Sequence, residues 1–135
     1  MTERMTAAQF KKNKDLSEYE EQIKLAEYLD MNGFCWNHVP NGGNRDARTG
    51  AKMKRQGTKK GFPDVQIFDV PEEMEEVPGY MLSGIVIELK RRNGNPSDVR
   101  KEQQEWLRKL GARNWITKVA FGADDAINWL EGLEW

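Results

Sequence analysis

The sequence predicts a mixed α/β fold of element order α-β-β-β-α-β-α, with a mixed four-stranded sheet flanked by helices. Three observations predict it. The run Gly84-Ile85-Val86-Ile87-Glu88-Leu89-Lys90 is continuously apolar up to its charged end, as a central strand buried on both faces must be. A helical pattern and then a second strand pattern, Trp115 to Phe121, follow it. Strand, helix and strand in that order imply a right-handed crossover and a parallel pair. Helices can then cover both faces of the sheet.

Each element has a local reason. Ser17 followed by Glu20 is a capping-box signature, and Ile23, Leu25, Ala26, Tyr28 and Leu29 recur near helical spacing. Gly33 suits a C-terminal cap, so a helix is expected over 17–31. Phe34 to Val39 is aromatic and β-prone and ends at Pro40, a first strand. Asn41-Gly42-Gly43-Asn44 is loop chemistry, and a short basic helix is expected over 47–56, ending before Gly57. Gly61-Phe62-Pro63-Asp64 leads into Val65, Gln66, Ile67 and Phe68, a second strand. Pro63 is tolerated because the first residue of a strand need not donate to the ladder. Pro71, Pro78 and Gly79 frame an acidic loop. After the strand at 84–90, a polar loop from Arg91 to Pro96 precedes a helix over 98–110, capped by Ser97 or Asp98 and stopped by Gly111. A last helix is expected over 123–132.

Length and composition limit the function classes. The 135 residues suit one domain, 16–135, behind a loose, polar N-terminus at 1–15. With 38% hydrophobic residues, among them five Trp and five Phe, the chain can anchor a modest core, which excludes wholesale disorder. The single cysteine, Cys35, excludes an intrachain disulfide, and one histidine, His38, excludes a Cys/His zinc framework. No stretch reads as a membrane span or signal peptide, so a soluble cytoplasmic protein is expected. The net charge of −1 announces no nucleic-acid binder, but the charge is segregated. Arg45, Arg48, Lys52, Lys54, Arg55, Lys59 and Lys60 stand against one acid, Asp46, whereas Glu72, Glu73, Glu75 and Glu76 have no base among them. Trp36, Trp106, Trp115 and Trp129 are expected to pack in the core rather than stack on bases.

Glu88 and Lys90 lie two apart in a strand, so their side chains share a face. A structural ion pair would account for them alone. Asp64 opens another apolar strand, and if the two strands pair, Asp64 and Glu88 can converge. Two convergent carboxylates suit a hard cation such as Mg²⁺ or Mn²⁺. A nearby lysine can orient water and offset phosphate charge, which phosphodiester hydrolysis requires.

Pro63-Asp64 followed by Glu88-Leu89-Lys90 resembles the PD-(D/E)XK nuclease signature. Further blocks narrow the likeness: Glu20 in the first helix, Val39-Pro40-Asn41-Gly42-Gly43 after the first strand, Lys54-Arg55-Gln56-Gly57, and Gln103 with Trp106, Leu107 and Gly111. Together they resemble the VRR-NUC family over about residues 17–131.

The resemblance implies a restriction-endonuclease-like core and metal-dependent cleavage of DNA. It implies that Glu20, Asp64 and Glu88 hold Mg²⁺ or Mn²⁺, with the Leu89 carbonyl as a further ligand. Glu18 and Glu21 flank Glu20, and the spacing to Ile23 selects Glu20; a helix N-terminal charge is the structural alternative. Lys90 matches the catalytic lysine. Gln103, chosen over Gln104 by its spacing to Trp106, matches the supporting glutamine. The basic segment would lie beside Asp64, so Arg45, Arg48, Lys52, Lys54, Arg55 and Lys60 are DNA-contact candidates, with Asn41 in the glycine-rich loop. His38 is either a hydrogen-bonded strand residue or a phosphate contact. Stand-alone proteins of this kind imply a homodimer acting on branched DNA, the four-way junction above all. The alternatives are a nonspecific or flap-directed nuclease and a catalytically silent nucleic-acid-binding module.

Overall fold

The computed structural model describes residues 16–40 and 46–135, so the expectations for 1–15, Asn41 and Arg45 lie outside the described residues. Helix α1 spans Glu18–Met31, β1 Trp36–His38, α2 Ala47–Arg55 and β2 Val65–Ile67. A small hairpin of β3 (Glu73–Met74) and β4 (Val77–Pro78) follows, then β5 (Gly84–Lys90), α3 (Lys101–Gly111), β6 (Trp115–Phe121) and α4 (Ala123–Glu131). The main sheet has the order β1-β2-β5-β6. Its first three strands are antiparallel, and β5 and β6 are parallel, joined by the crossover through α3. The fold is thus the mixed four-stranded α/β arrangement that the sequence predicts. No helix among the described residues is long and apolar enough to cross a membrane.

All seven residues of β5 are buried, because β2 and β6 flank it and helices cover both faces. The side chains of Val65, Ile67, Ile85, Ile87 and Leu89 alternate onto one face. There they pack with Leu25 and Leu29 of α1 and Ala126 and Leu130 of α4. The even-numbered residues point the other way, toward the side on which α3 packs against β6. At the C-terminal end of β5 that face carries Glu88 and Lys90.

Several boundaries differ from the sequence reading, and β1, expected from Phe34 to Val39, is shortened to Trp36–His38. The acidic loop is a two-stranded hairpin whose central residues, Glu75 and Glu76, have φ of 48° and 68°. That left-handed pair matches the twist of a tight hairpin, but glutamates lack the Asn-Gly signal that announces one. Helix α3 starts at Lys101, not at 98, because Pro96–Asp98 forms a separate 3-10 turn. Asp98 caps that turn through the Asn95 amide, and the N-cap of α3 is Arg100, whose N–H donates to Gln103 Oε1 at 2.8 Å. The ladder of β2 is confined to Val65–Ile67, leaving out Asp64 at one end and Phe68 at the other.

Trp36 and Trp129 pack on the core as expected. Trp106 lies edge-on to Phe62 at 5.0 Å and donates from Nε1 to the Lys60 carbonyl, pinning the chain just before Asp64 to α3. Gly61 makes that approach possible. Its φ is +85°, and a Cβ there would stand 2.8 Å from Glu102 Cβ and 3.0 Å from the Gln103 amide. We expect Gly61→Ala to lower the thermal midpoint by several degrees, as about 1–3 kcal/mol of backbone strain should; an unchanged midpoint would show that the loop moves freely off α3.

Candidate active site

Register dictates the convergence of the carboxylates. Gln66 pairs with Val86 and Val65 with Ile87, so one more step along the ladder sets Asp64 opposite Glu88. Directly opposed residues of an antiparallel pair point to the same face with their Cβ atoms about 5 Å apart. Asp64 Oδ2 accepts the Leu89 N–H at 2.7 Å, which fixes its carboxylate at the end of β5. N–H and C=O of one strand residue point to the same side, so the Leu89 carbonyl also faces the β2 side. The same register sets Leu89 opposite Pro63, which has no N–H to give that carbonyl.

Glu88 is only 2% exposed. Its Oε1 accepts from Gln103 Nε2 at 2.8 Å and lies 3.6 Å from Lys90 Nζ. Its Oε2 is buried and has no hydrogen-bond partner. Burial, and then the Asp64 charge, push the Glu88 carboxyl up to about 8, against the opposing pull of Lys90. Burial likewise raises Asp64, countered by the Leu89 N–H. Lys90 is also buried, and its Nζ donates to Gln103 Oε1 at 3.0 Å. One glutamine therefore holds the acid with its amide nitrogen and the lysine with its amide oxygen.

These groups line a cleft of about 580 Å³ whose other walls include Glu18, Arg91, Asp98 and Arg100. Among the described residues no three His, Cys, Asp or Glu side chains form a closed metal cage. The donor set nevertheless fits a hard cation. A buried carboxylate oxygen has no hydrogen-bond donor and a second carboxylate faces it, with Lys90 offsetting only part of their charge. Mg²⁺ is commonly bound by one or two carboxylates plus waters.

The acid that α1 brings to the cleft is not the one the sequence selects. Glu20 is exposed, and its Oε1 closes the capping box on Ser17, 3.1 Å from Oγ and 3.4 Å from the backbone N. It does not line the cleft. Glu18, two residues earlier, does, and its charge acts on Asp64. Glu21 is fully buried and bound to Arg92.

The DNA-contact candidates separate. His38 is exposed on the edge strand, and its Nδ1 lies 2.9 Å from the Asp64 carbonyl, so it is a hydrogen-bonded neighbour of the site. Arg48, Lys52, Lys54 and Arg55 are all exposed on α2, which buries no residue. Lys60 is exposed beside the Gly61 contact. The sequence reading weighs Glu18 but prefers Glu20, and it does not single out Arg91 and Arg100 as cleft residues or the Glu21–Arg92 pair.

A model of the VRR-NUC domain family matches residues 16–124. Among solved structures, one described as a VRR_NUC domain protein superposes with a TM-score of 0.67 and 25% identity, covering 87% of this chain and 88% of that one. No curated protein matches. With the family matched across most of the chain and the fold shared, the chain belongs to the VRR-NUC domain family, nucleases of the restriction-endonuclease-like superfamily.

Proposed function

We propose that the protein is a Mg²⁺- or Mn²⁺-dependent DNA endonuclease whose cleft is built by Asp64, Glu88, Lys90 and Gln103. The observation that carries this reading is the buried, donorless Glu88 Oε2 facing a second carboxylate. Asp64, Glu88 and the Leu89 carbonyl would hold the ion, and Glu18 lines the same cleft where Glu20 does not. Such an ion supplies Lewis-acid polarisation of the phosphate and makes water more acidic. Lys90 has its ammonium fixed by Gln103 and is placed to orient the attacking water and offset developing charge. Gln103 bonds to both Lys90 and Glu88, which themselves stand 3.6 Å apart, and so fixes the two relative to each other.

Linear, flap, splayed and four-way DNA, each with Mg²⁺, Mn²⁺ or Ca²⁺, test the reading. Cleavage is expected with the first two metals and little with Ca²⁺, whose longer, looser coordination activates water less. A folded protein that binds DNA but turns over none of these substrates would be a silent binding module instead.

The finer reading is a homodimer that cuts branched DNA. One cleft makes one nick, and a four-way junction needs two symmetric nicks, so a two-fold dimer would match its substrate. Light scattering should give twice the chain mass, and junctions labelled strand by strand should show paired nicks. A monomer, or equal cutting of linear duplex, would leave a nonspecific or flap-directed nuclease.

Helix α2 serves in this reading as a backbone-tracking element, because its cations are exposed and Lys52, Lys54 and Arg55 share its last turn. Neutralising those three together should weaken DNA binding and reduce the log–log salt slope by about one per lost phosphate contact. An unchanged slope would make α2 a solvated face.

A further inference from the structure

We infer that Arg91 and Arg100 form a two-point clamp on the scissile phosphodiester, a role that rests on the nuclease reading and deepens it. Both residues are exposed and line the cleft that holds Asp64, Glu88 and Lys90. They stand at the two ends of the connection between β5 and α3, a segment pinned at several points. Gly94 N–H donates to the Arg91 carbonyl, Asp98 N–H donates to the Asn95 carbonyl, and Val99 is buried. The Arg100 amide donates to Gln103 Oε1, the oxygen that also receives Lys90 Nζ. Arg91 follows Lys90 directly in the chain. Each arginine is thus one link from the lysine at the centre of the site.

Of the described arginines without a salt bridge, namely Arg48, Arg55, Arg91, Arg100 and Arg113, only Arg91 and Arg100 line the cleft. Arg92 binds Glu21 and Asp124, Arg108 binds Glu105, and Arg113 donates to the Lys109 carbonyl. Arg91 and Arg100 have no salt bridge among the described residues, although Glu18 and Asp98 line the same cleft. Two guanidinium groups without a carboxylate partner, beside a hydrolytic centre, suit a bidentate anion. A phosphodiester presents two nonbridging oxygens, and the planar fork of arginine matches that geometry. Hydrolysis adds a water oxygen to phosphorus and expels a sugar oxygen, which takes up a proton. Charge on the nonbridging oxygens grows on the way, so groups that touch them stabilise the transition state more than the bound substrate. A clamp on the scissile phosphate must therefore act on the chemical step, whereas a contact to a distant phosphate acts on affinity alone.

The test is single-turnover cleavage by Arg91→Ala/Arg100→Ala at saturating protein with Mn²⁺, on whichever DNA the wild-type protein cuts. The rate should fall on the order of 10²-fold. The Kd for the same DNA in Ca²⁺ should change less than about tenfold, and Mn²⁺ binding measured by calorimetry should stay unchanged. Arg91→Lys/Arg100→Lys should recover only part of the rate, because an ammonium keeps the charge and loses the fork. Wild-type rates in the alanine double variant would overturn the clamp alone, as would a loss carried wholly by Kd or by weaker Mn²⁺ binding. A wild-type protein that cuts no DNA with either metal would overturn the nuclease reading and the clamp together.

Discussion

Glu88→Gln will lower cleavage by on the order of 10³-fold or more while making the metal-free protein more stable above neutral pH. Both effects have one cause. Glu88 is 2% exposed and faces Asp64, so an ionised Glu88 is a buried anion beside another anion. Its folded pKa of about 8 lies far above the value of 4.5 of an ordinary glutamate. The sign follows from linkage. Below about 4.5 the carboxyl is neutral in both states and imposes no penalty. Between there and about 8 the unfolded chain releases a proton that the folded chain keeps, so stability falls with rising pH. The full penalty, on the order of a few kcal/mol, is reached above the folded pKa. The amide introduced by Glu88→Gln has no charge to lose, can still accept from Gln103, and can donate to Asp64.

The measurement is the melting temperature of both proteins from pH 5 to pH 9 without metal. The gap in favour of Glu88→Gln should widen as pH rises. Adding Mn²⁺ should raise the wild-type midpoint at pH 8 and leave the variant nearly unmoved, because an ion bound only by the folded state stabilises it by mass action. Parallel pH curves for the two proteins would mean that the carboxylates do not repel. Robust cleavage by folded Glu88→Gln would sink the catalytic assignment.

Much of this site is legible in the sequence because its carriers are strand ends. The apolar run before Glu88 has no other physical use than a central strand, and Pro63-Asp64 marks the start of its neighbour. Pairing the two then brings the carboxylates together. The choice of acid on α1 is less legible, although the sequence holds the signal. Ser17 and Glu20 form a capping box, and a carboxylate that closes its own helix end is not free to turn into a cleft. Glu21 was hidden for a different reason. It stands one turn before Leu25 and two before Leu29, in line with a core stripe, and only its distant partner explains a glutamate there. Arg100 escaped notice because the 3-10 turn at Pro96–Asp98 shifts the start of α3, and with it the residues that border the cleft. The hairpin at 73–78 is invisible to turn chemistry, since neither Glu75 nor Glu76 favours a left-handed backbone.

Arg92→Ala will destabilise the protein by about 3–5 kcal/mol, the range seen when one partner of a buried ion pair is removed. Glu21 has no exposed surface. It accepts from Arg92 Nη2 at 2.8 Å and Nε at 3.3 Å, and from the Ala123 amide at the start of α4 at 3.2 Å. Without Arg92 the carboxylate keeps one N–H and no counter-charge. The surroundings leave little room to adapt. Gly122 has φ of +94°, and a Cβ there would stand 2.5 Å from Glu21 Oε2, so the chain already closes over the carboxylate. Asp124, which Arg92 also approaches, keeps Lys24 at 2.8 Å and is less affected. Replacing both partners by apolar residues, Glu21→Leu/Arg92→Met, should restore much of the loss, because the cost lies in the uncompensated charge rather than in the missing pair. Arg92→Lys should fall between, since lysine cannot span both carboxylate oxygens. Glu21 also anchors the first turn of α1, which carries Glu18 to the cleft. Urea denaturation of the four proteins at pH 7 decides the matter. A loss below about 1 kcal/mol for Arg92→Ala would place the pair among ordinary surface salt bridges. A double apolar variant no better than Arg92→Ala would mean that the pair positions α1 through geometry that packing alone does not reproduce.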